Sequence, residues 1–122
     1  MSGLNLVDSS GWLEYLTDSD RANLFSAVIL KTESLIVPVI SIYEVVKRVL
    51  REGTDNHAKE AVQAMTKGKV VDMDLSIALS AVRFKLPLAD SMIYATAQIF
   101  DATLWTQDED FKGLPNVRYF AK

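Results

Sequence analysis

Four carboxylates hold the chemistry that this sequence can offer: Asp8, Glu44, Asp90 and Asp108. Each follows an apolar stretch and lies at or near the beginning of a polar turn or a helix. In an open parallel sheet such turns gather at the carboxyl ends of the strands, where ligands bind. The chain has no cysteine and a single histidine, His57, which we expect in an exposed loop. These features indicate carboxylates that hold a hard cation, as in metal-dependent enzymes that cleave phosphodiesters, rather than a hydrolase with a side-chain nucleophile.

A cluster of acids predicts a cation on electrostatic grounds. Two carboxylates ~4 Å apart repel each other by roughly 4 kcal/mol at an effective dielectric of about 20. Three or four converging acids would therefore take up protons or move apart unless a cation lies between them. Mg²⁺ suits such a site because it binds carboxylates, keeps several waters and leaves positions for phosphate oxygens. Mn²⁺ fits the same oxygen ligands.

Each acid also has a structural explanation of its own. Asp8 precedes two serines and a glycine, and so can cap a helix. Glu44 can form a capping box with Ser41. A first-turn position lets Asp90 interact with the helix dipole, and Asp108 can form an Asx turn. These explanations suffice for the acids singly, whereas the four acids together favour a metal site.

Three basic residues share a helix face with Glu44. The helix predicted at 41–51 buries an apolar stripe and carries Lys47, Arg48 and Arg51 on the opposite face. A carboxylate beside these side chains can hold a cation next to groups that grip a phosphate chain. The alternative is an ordinary solvated face with an i,i+4 ion pair, worth only ~0.3–0.5 kcal/mol.

Short apolar strands alternate with helices along the chain. Strands are predicted at 4–7, 35–39, 70–71 and 103–105, with a further edge strand at 117–120. Helices are predicted at 12–16, 24–29, 41–51, 58–66, 77–84 and 87–100. This alternation predicts crossover connections and a parallel sheet that is covered by helices on both faces. Right-handed crossovers then bring the ends of strands one, two and four to the same edge.

Composition restricts the class of protein further. A chain of 122 residues that is 49% hydrophobic predicts a single domain over 1–122, which buries roughly two-thirds of its unfolded surface. A net charge of −3 argues against a protein that coats nucleic acid by charge alone. No apolar run reaches the ~18 residues of a membrane span, and no signal peptide is recognised. The lack of cysteine fits a reducing cytoplasm.

Four segments, in order, resemble those of a known family. The chain is similar to the PIN domain, and within that family to the VapC-type toxins of prokaryotic toxin–antitoxin pairs. The similar segments are Leu-Val-Asp-Ser-Ser at 6–10, Val-Pro-Val-Ile-Ser-Ile-Tyr-Glu-Val at 37–45, Leu-Pro-Leu-Ala-Asp-Ser-Met-Ile-Tyr-Ala-Thr-Ala at 86–97 and Leu-Trp-Thr-Gln-Asp-Glu-Asp-Phe at 104–111. Each motif is weak alone, but four in order across a chain of this size make a specific signal.

The resemblance implies a three-layer α/β/α sandwich with a central, mainly parallel sheet. It also implies a Mg²⁺- or Mn²⁺-dependent endoribonuclease that is the toxin of a type II toxin–antitoxin system, forms a homodimer and is inhibited by an antitoxin laid across its site. The acids and the assisting hydroxyls that it implies are Asp8, Glu44, Asp90, Asp108, Ser9 and Thr106. Asp110 can share or replace the role of Asp108.

Two other functions fit the same pattern. One is a non-catalytic binding module of the same fold with a degenerate metal site, although retention of all four acids speaks against it. The other is a phosphoacceptor signalling domain, which is also α/β with acids at the edge of its sheet. That class would have an acidic pair directly after the first strand, whereas here Asp8 is followed by two serines.

Overall fold

The computed structural model describes residues 2–122, which form five strands and six α-helices. The strands are β1 (Asn5–Val7), β2 (Leu35–Pro38), β3 (Lys69–Val71), β4 (Thr103–Thr106) and β5 (Val117–Tyr119). The helices are α1 (Ser9–Leu16), α2 (Asn23–Leu30), α3 (Val39–Glu52), α4 (Asp55–Met65), α5 (Leu75–Ala81) and α6 (Leu88–Ile99). Two short 3₁₀ turns lie at Thr32–Ser34 and Glu109–Phe111.

All neighbouring strands pair in parallel, in the order β3-β2-β1-β4-β5. In the centre, Leu6 of β1 is in register with Ile36 of β2 and with Leu104 of β4. The chain builds outwards from β1 first to one side and then to the other. The strand order therefore reverses beside β1, and a crevice at such a point is where open α/β sheets bind ligands.

Two cores lie on opposite faces of the sheet. Leu6 and Ile36 belong to the core under α5 and α6, whereas their neighbours Val7 and Val37 belong to the core under α1 to α4. Successive side chains of a strand point to opposite faces, so both faces of these short strands must be apolar. The predicted three-layer sandwich with a parallel central sheet is thus confirmed.

The predicted strands and helices all occur, with ends that differ by a few residues. The largest correction concerns His57, which was expected in a loop but lies in the first turn of α4. There the Thr54 side chain accepts from the His57 backbone amide, and the His57 ring accepts from the Thr54 amide at 3.2 Å. The helix begins earlier than predicted because this reciprocal cap satisfies two of its amide groups.

No α-helix within residues 2–122 is both long and apolar enough to cross a membrane.

Candidate metal centre

One cavity at the carboxyl edge of the sheet gathers all four predicted acids. It has a volume of about 400 Å³ and lies where β1 ends beside α3, the beginning of α6 and the segment after β4. Its acidic lining consists of Asp8, Glu44, Asp90 and Asp108. Three of these acids come after a strand, but Asp90 lies in the first turn of α6, a helix that follows another helix, α5.

Asp8 is held rigidly at the end of β1. It is 3% exposed and caps α1, where its Oδ1 accepts from the Gly11 amide at 3.0 Å. The Ser10 hydroxyl donates to both carboxylate oxygens, and Thr106 Oγ1 donates to Oδ2 at 2.7 Å. A Cβ on Gly11 would lie 2.6 Å from Val7 Cγ1, so the close approach of α1 to β1 requires glycine there. The predicted cap is confirmed, and it orients the carboxylate towards the cavity edge.

Glu44 is positioned by Ser9 and not by the predicted capping box. The N-cap of α3 is Pro38, so Ser41 lies inside the helix. Ser41 is fully buried, and its hydroxyl finds no hydrogen-bond partner among residues 2–122. Instead, Ser9 Oγ donates to Glu44 Oε1 at 2.5 Å. The capping-box explanation of Glu44 is therefore wrong, and this contact joins α1 to α3 across the cavity.

Three carboxylates lie close enough to share one ion. Asp90, Asp108 and Asp110 each offer an oxygen atom within 4.8 Å of the others. Asp108 Oδ1 accepts from the Asp110 amide at 2.9 Å, which is the predicted Asx turn. The Asp108 amide donates to Thr106 Oγ1 at 2.9 Å, and the same hydroxyl donates to Asp8. Thr106 thus connects the buried Asp8 to the more exposed Asp108.

The two cavity acids whose pKa values are raised favour a cation. Burial raises the pKa of Asp8 from 3.8 to about 6, although hydrogen bonds from Thr106, Gly11 and Ser10 lower it. The pKa of Asp90 is raised to about 7, first by burial and then by the charges of Asp108, Glu44 and Asp110. An oxygen-only donor set that resists ionisation without a counter-charge suits Mg²⁺ or Mn²⁺. These residues therefore fit the metal that the sequence predicts.

The predicted basic residues line the same cavity. Lys47, Arg48 and Arg51 follow Glu44 along α3 and are exposed. Arg48 Nε lies 2.8 Å from Glu52 Oε1, but both side chains are at least half-exposed. Exposed pairs of this kind contribute only ~0.3–0.5 kcal/mol. A phosphate group can therefore compete for Arg48 at little cost.

Hydrogen bonds around Gln107 support the site and were not predicted from the sequence. Gln107 is 4% exposed, and its Oε1 accepts from Arg21 Nε at 2.5 Å. Its Nε2 donates to Glu14 Oε2 at 2.6 Å. Arg21 Nη2 also donates to the carbonyls of Phe120 and Ala121, both at 3.2 Å. These bonds fix the segment between Thr106 and Asp108, and no local pattern indicates them because they join residues far apart in the chain.

The PIN domain model matches residues 6–117, so the chain belongs to the PIN domain family. A toxin–antitoxin complex from Klebsiella pneumoniae superposes with a TM-score of 0.81 at 22% identity, over 97% of this chain and 99% of that one. A DNA-bound VapBC from Salmonella typhimurium gives 0.75 at 14% identity, over 97% and 98%.

Mycobacterium tuberculosis VapC20, a toxin that cleaves the sarcin–ricin loop, gives a TM-score of 0.73 at 13% identity, over 90% and 94%. At these identities the likeness establishes the fold. No curated protein sequence matches the chain significantly.

Proposed function

We propose that this protein is a divalent metal-dependent endoribonuclease and the toxin of a type II toxin–antitoxin pair. The observation that carries the proposal is the meeting of carboxylates from four separate segments in one cavity, beside three exposed basic side chains. Membership of the PIN family supports a nuclease. An RNA substrate also implies action in the cytoplasm.

The acids surround the ion in two groups. Asp90 and Asp108, with Asp110 beside them, offer oxygens close enough to hold one cation. Asp8 and Glu44 line the same cavity and complete the negative charge around it. Held by these acids, Mg²⁺ or Mn²⁺ would lower the pKa of the attacking water and would supply positive charge beside the phosphate oxygens. The chain itself orients these groups before substrate arrives, since hydroxyls of Ser9 and Thr106 fix Glu44 and Asp8.

The basic residues bind the RNA strand that is cleaved. Lys47, Arg48 and Arg51 extend along α3 from Glu44, so a phosphate chain that crosses the acids can continue along this row. In the overall reaction water adds across one P–O bond of the phosphodiester, which leaves one fragment with a phosphate and the other with a hydroxyl. The positive row offsets the local excess of acids over bases.

An antitoxin is the expected protein partner. Among the structures of similar fold are toxin–antitoxin complexes, which supports this assignment. A groove of about 400 Å³ adjoins the acidic cavity, since Leu13 and Arg48 line both. Leu16, Val49 and Ala61 make much of its wall apolar. A peptide with apolar side chains can lie there and extend across the acids, where it would exclude RNA.

Homodimerisation is supported by an exposed apolar row. Leu75, Leu79 and Val82 lie at helical spacing on and just after α5, and are 72%, 59% and 78% exposed. Large apolar side chains exposed at helical spacing favour an interface. We expect light scattering to give the mass of a dimer, and Leu79→Glu to shift the protein to monomer. A monomeric wild-type protein would contradict the dimer without affecting the nuclease proposal.

Cleavage of labelled RNA tests the function directly. We expect wild-type protein to cut RNA with Mg²⁺ or Mn²⁺ and not with EDTA, and Asp8→Asn to be inactive. Asp72→Asn is a matched control, because Asp72 also follows a strand but is exposed and does not line the cavity. Calorimetric titration with Mn²⁺ separates the alternatives: a non-catalytic module would show no carboxylate-dependent binding. Metal-independent or Asp8-independent cleavage would refute the proposal.

A further inference from the structure

We propose that two lysine–tyrosine pairs, Tyr43–Lys47 and Tyr119–Lys112, bind the nucleotides on either side of the cleaved phosphate. In each pair the tyrosine ring stacks on an RNA base, and the lysine contacts the adjoining backbone. The inference rests on the proposed ribonuclease function and adds to it two base-binding subsites, which require an unpaired strand.

The acidic cavity is one lobe of a longer groove. A second cavity of about 550 Å³ lies beside it, and Ser10 and Asp108 line both. Tyr43 and Lys47 line the first lobe, whereas Tyr119 and Lys112 line the second. An RNA strand that passes over the acids therefore contacts one lysine–tyrosine pair on each side of them.

The pair on α3 is exposed beside the acids. Tyr43 is 59% exposed, although it lies directly before the predicted ligand Glu44. Lys47 is one turn further along, with its Nζ 5.6 Å from the centre of the Tyr43 ring. An exposed ring beside a cation is the arrangement on which proteins stack unpaired bases while they hold the backbone.

Tyr119 of the second pair is positioned by β5 and by Arg21. Tyr119 is in register with Thr106, the residue that bonds to Asp8. Lys112 Nζ lies 5.8 Å from the centre of the Tyr119 ring. Arg21 holds the carbonyls of the two residues that follow Tyr119, so the ring is anchored beside the acids rather than on a free end of the chain.

The charges of the second lobe favour a base over a further phosphate. Lys112 and Lys122 line it together with Glu109 and Asp110, so positive and negative groups offset each other there. Stacking does not depend on that balance, because every base has a π-face. Bases within a duplex are covered by their neighbours and cannot reach either ring.

Binding of RNA measures the two subsites apart from cleavage. The parent is Asp90→Asn with Mg²⁺, which retains the groove and which we expect to cut on the order of 10²- to 10³-fold more slowly than the wild type. We expect Tyr43→Ala and Tyr119→Ala each to weaken binding of a short unpaired RNA by about tenfold. The corresponding Phe variants keep the ring and should bind within about twofold of the parent. Lys69→Ala is the matched control, since its ammonium lies over Phe100 in a pair outside the groove.

Three results would overturn the inference: Ala variants that bind as the parent does, Phe variants that lose as much as Ala, or a blunt hairpin that binds as tightly as the unpaired strand. If Tyr119→Ala does not fold, Tyr119→Leu removes the ring and keeps an apolar side chain on the edge strand. Ring-dependent binding by a wild-type protein that never cleaves RNA would refute the ribonuclease alone. Cleavage that is unaffected by loss of either ring would refute the subsites alone.

Discussion

Asp8 and Asp90 line the same cavity and both have raised pKa values, but their surroundings differ. Asp8 is buried and accepts hydrogen bonds from Gly11, Ser10 and Thr106. Asp90 is partly exposed, and the carboxylates of Asp108 and Asp110 lie within 4.8 Å of its own. The pKa of Asp8 is raised by burial against hydrogen bonds that lower it, whereas burial and neighbouring negative charges together raise that of Asp90.

Asp8 and Asp90 therefore have different roles, although the sequence patterns around them are similar. Asp8 is a structural part of the fold, because it caps α1 and joins that helix to β4 through Thr106. Asp90 gains a first-turn interaction with the helix dipole, but burial and the neighbouring carboxylates disfavour its charge. The charge of Asp90 is unfavourable in the metal-free protein. Its carboxylate is therefore the one that the function requires most directly.

The largest effect is expected from Asp90→Asn on cleavage. The substitution keeps the shape of the side chain but removes its charge, so we expect single-turnover RNA cleavage to fall on the order of 10²- to 10³-fold. Mn²⁺ should also raise the melting temperature of this variant less than that of the wild type. Asp72→Asn should change neither quantity. Unchanged cleavage by Asp90→Asn would remove Asp90 from the metal site.

The sequence predicts the elements and the acids of the site because both leave local patterns. An apolar run predicts the strand at 35–39 and an amphipathic period predicts the helix at 41–51, and the structure has them at Leu35–Pro38 and Val39–Glu52. The alternation of strands and helices then predicts that Asp8, Glu44 and Asp108 lie at the same edge of the sheet. The cavity that holds them lies at that edge. This much follows from the preference of parallel sheets for right-handed crossovers.

The partners of those acids are not predictable in the same way. Ser41 fits a capping box by spacing, yet Ser9, which lies 35 residues from Glu44, is the actual donor. Gln107 lies beside the predicted Asx turn, and no local pattern indicates that Arg21 and Glu14 hold it at sequence separations of 86 and 93. Such contacts form only when separate helices and strands pack together. The pattern of residue types within one segment therefore does not predict them.

Alanine substitutions should separate the two acids by stability. Asp8→Ala removes a helix cap and leaves the buried Thr106 hydroxyl without its acceptor, so we expect the free energy of unfolding to fall by about 2–4 kcal/mol. Asp90→Ala relieves repulsion from Asp108 and Glu44 and should leave the metal-free protein as stable as before, or more so. Urea unfolding in EDTA measures both. Equal destabilisation would mean that the two acids are held alike.

The pH dependence of stability should show the cost of the buried charge. Asp8 has a pKa of 3.8 outside the fold and about 6 within it, so the folded state binds more protons between these values. Stability attributable to Asp8 is therefore present below pH ~4 and is lost as pH rises towards ~6, by about 3 kcal/mol in all. Asp90, with a pKa of about 7, extends the decline upwards.

Urea unfolding of metal-free wild type and Asp8→Asn across this range isolates the contribution. We expect the wild type to lose stability relative to the variant as pH rises, and Mn²⁺ to abolish that difference because metal binds the deprotonated acids. A constant difference between the two proteins, with no trend in pH, would contradict the raised pKa of Asp8.

Thr106 offers the smallest and most selective change. Its hydroxyl donates to Asp8 and accepts from the Asp108 amide, so Thr106→Val leaves both groups one bond short at nearly constant volume. We expect a loss of about 1–3 kcal/mol, with Thr106→Ser restoring most of it. The loss should be greater at pH 8 than at pH 5, because a hydrogen bond to the ionised Asp8 is the stronger one. In Asp8→Asn the same substitution should cost less, and an equal cost in both backgrounds would show that Thr106 acts by packing rather than through the buried carboxylate.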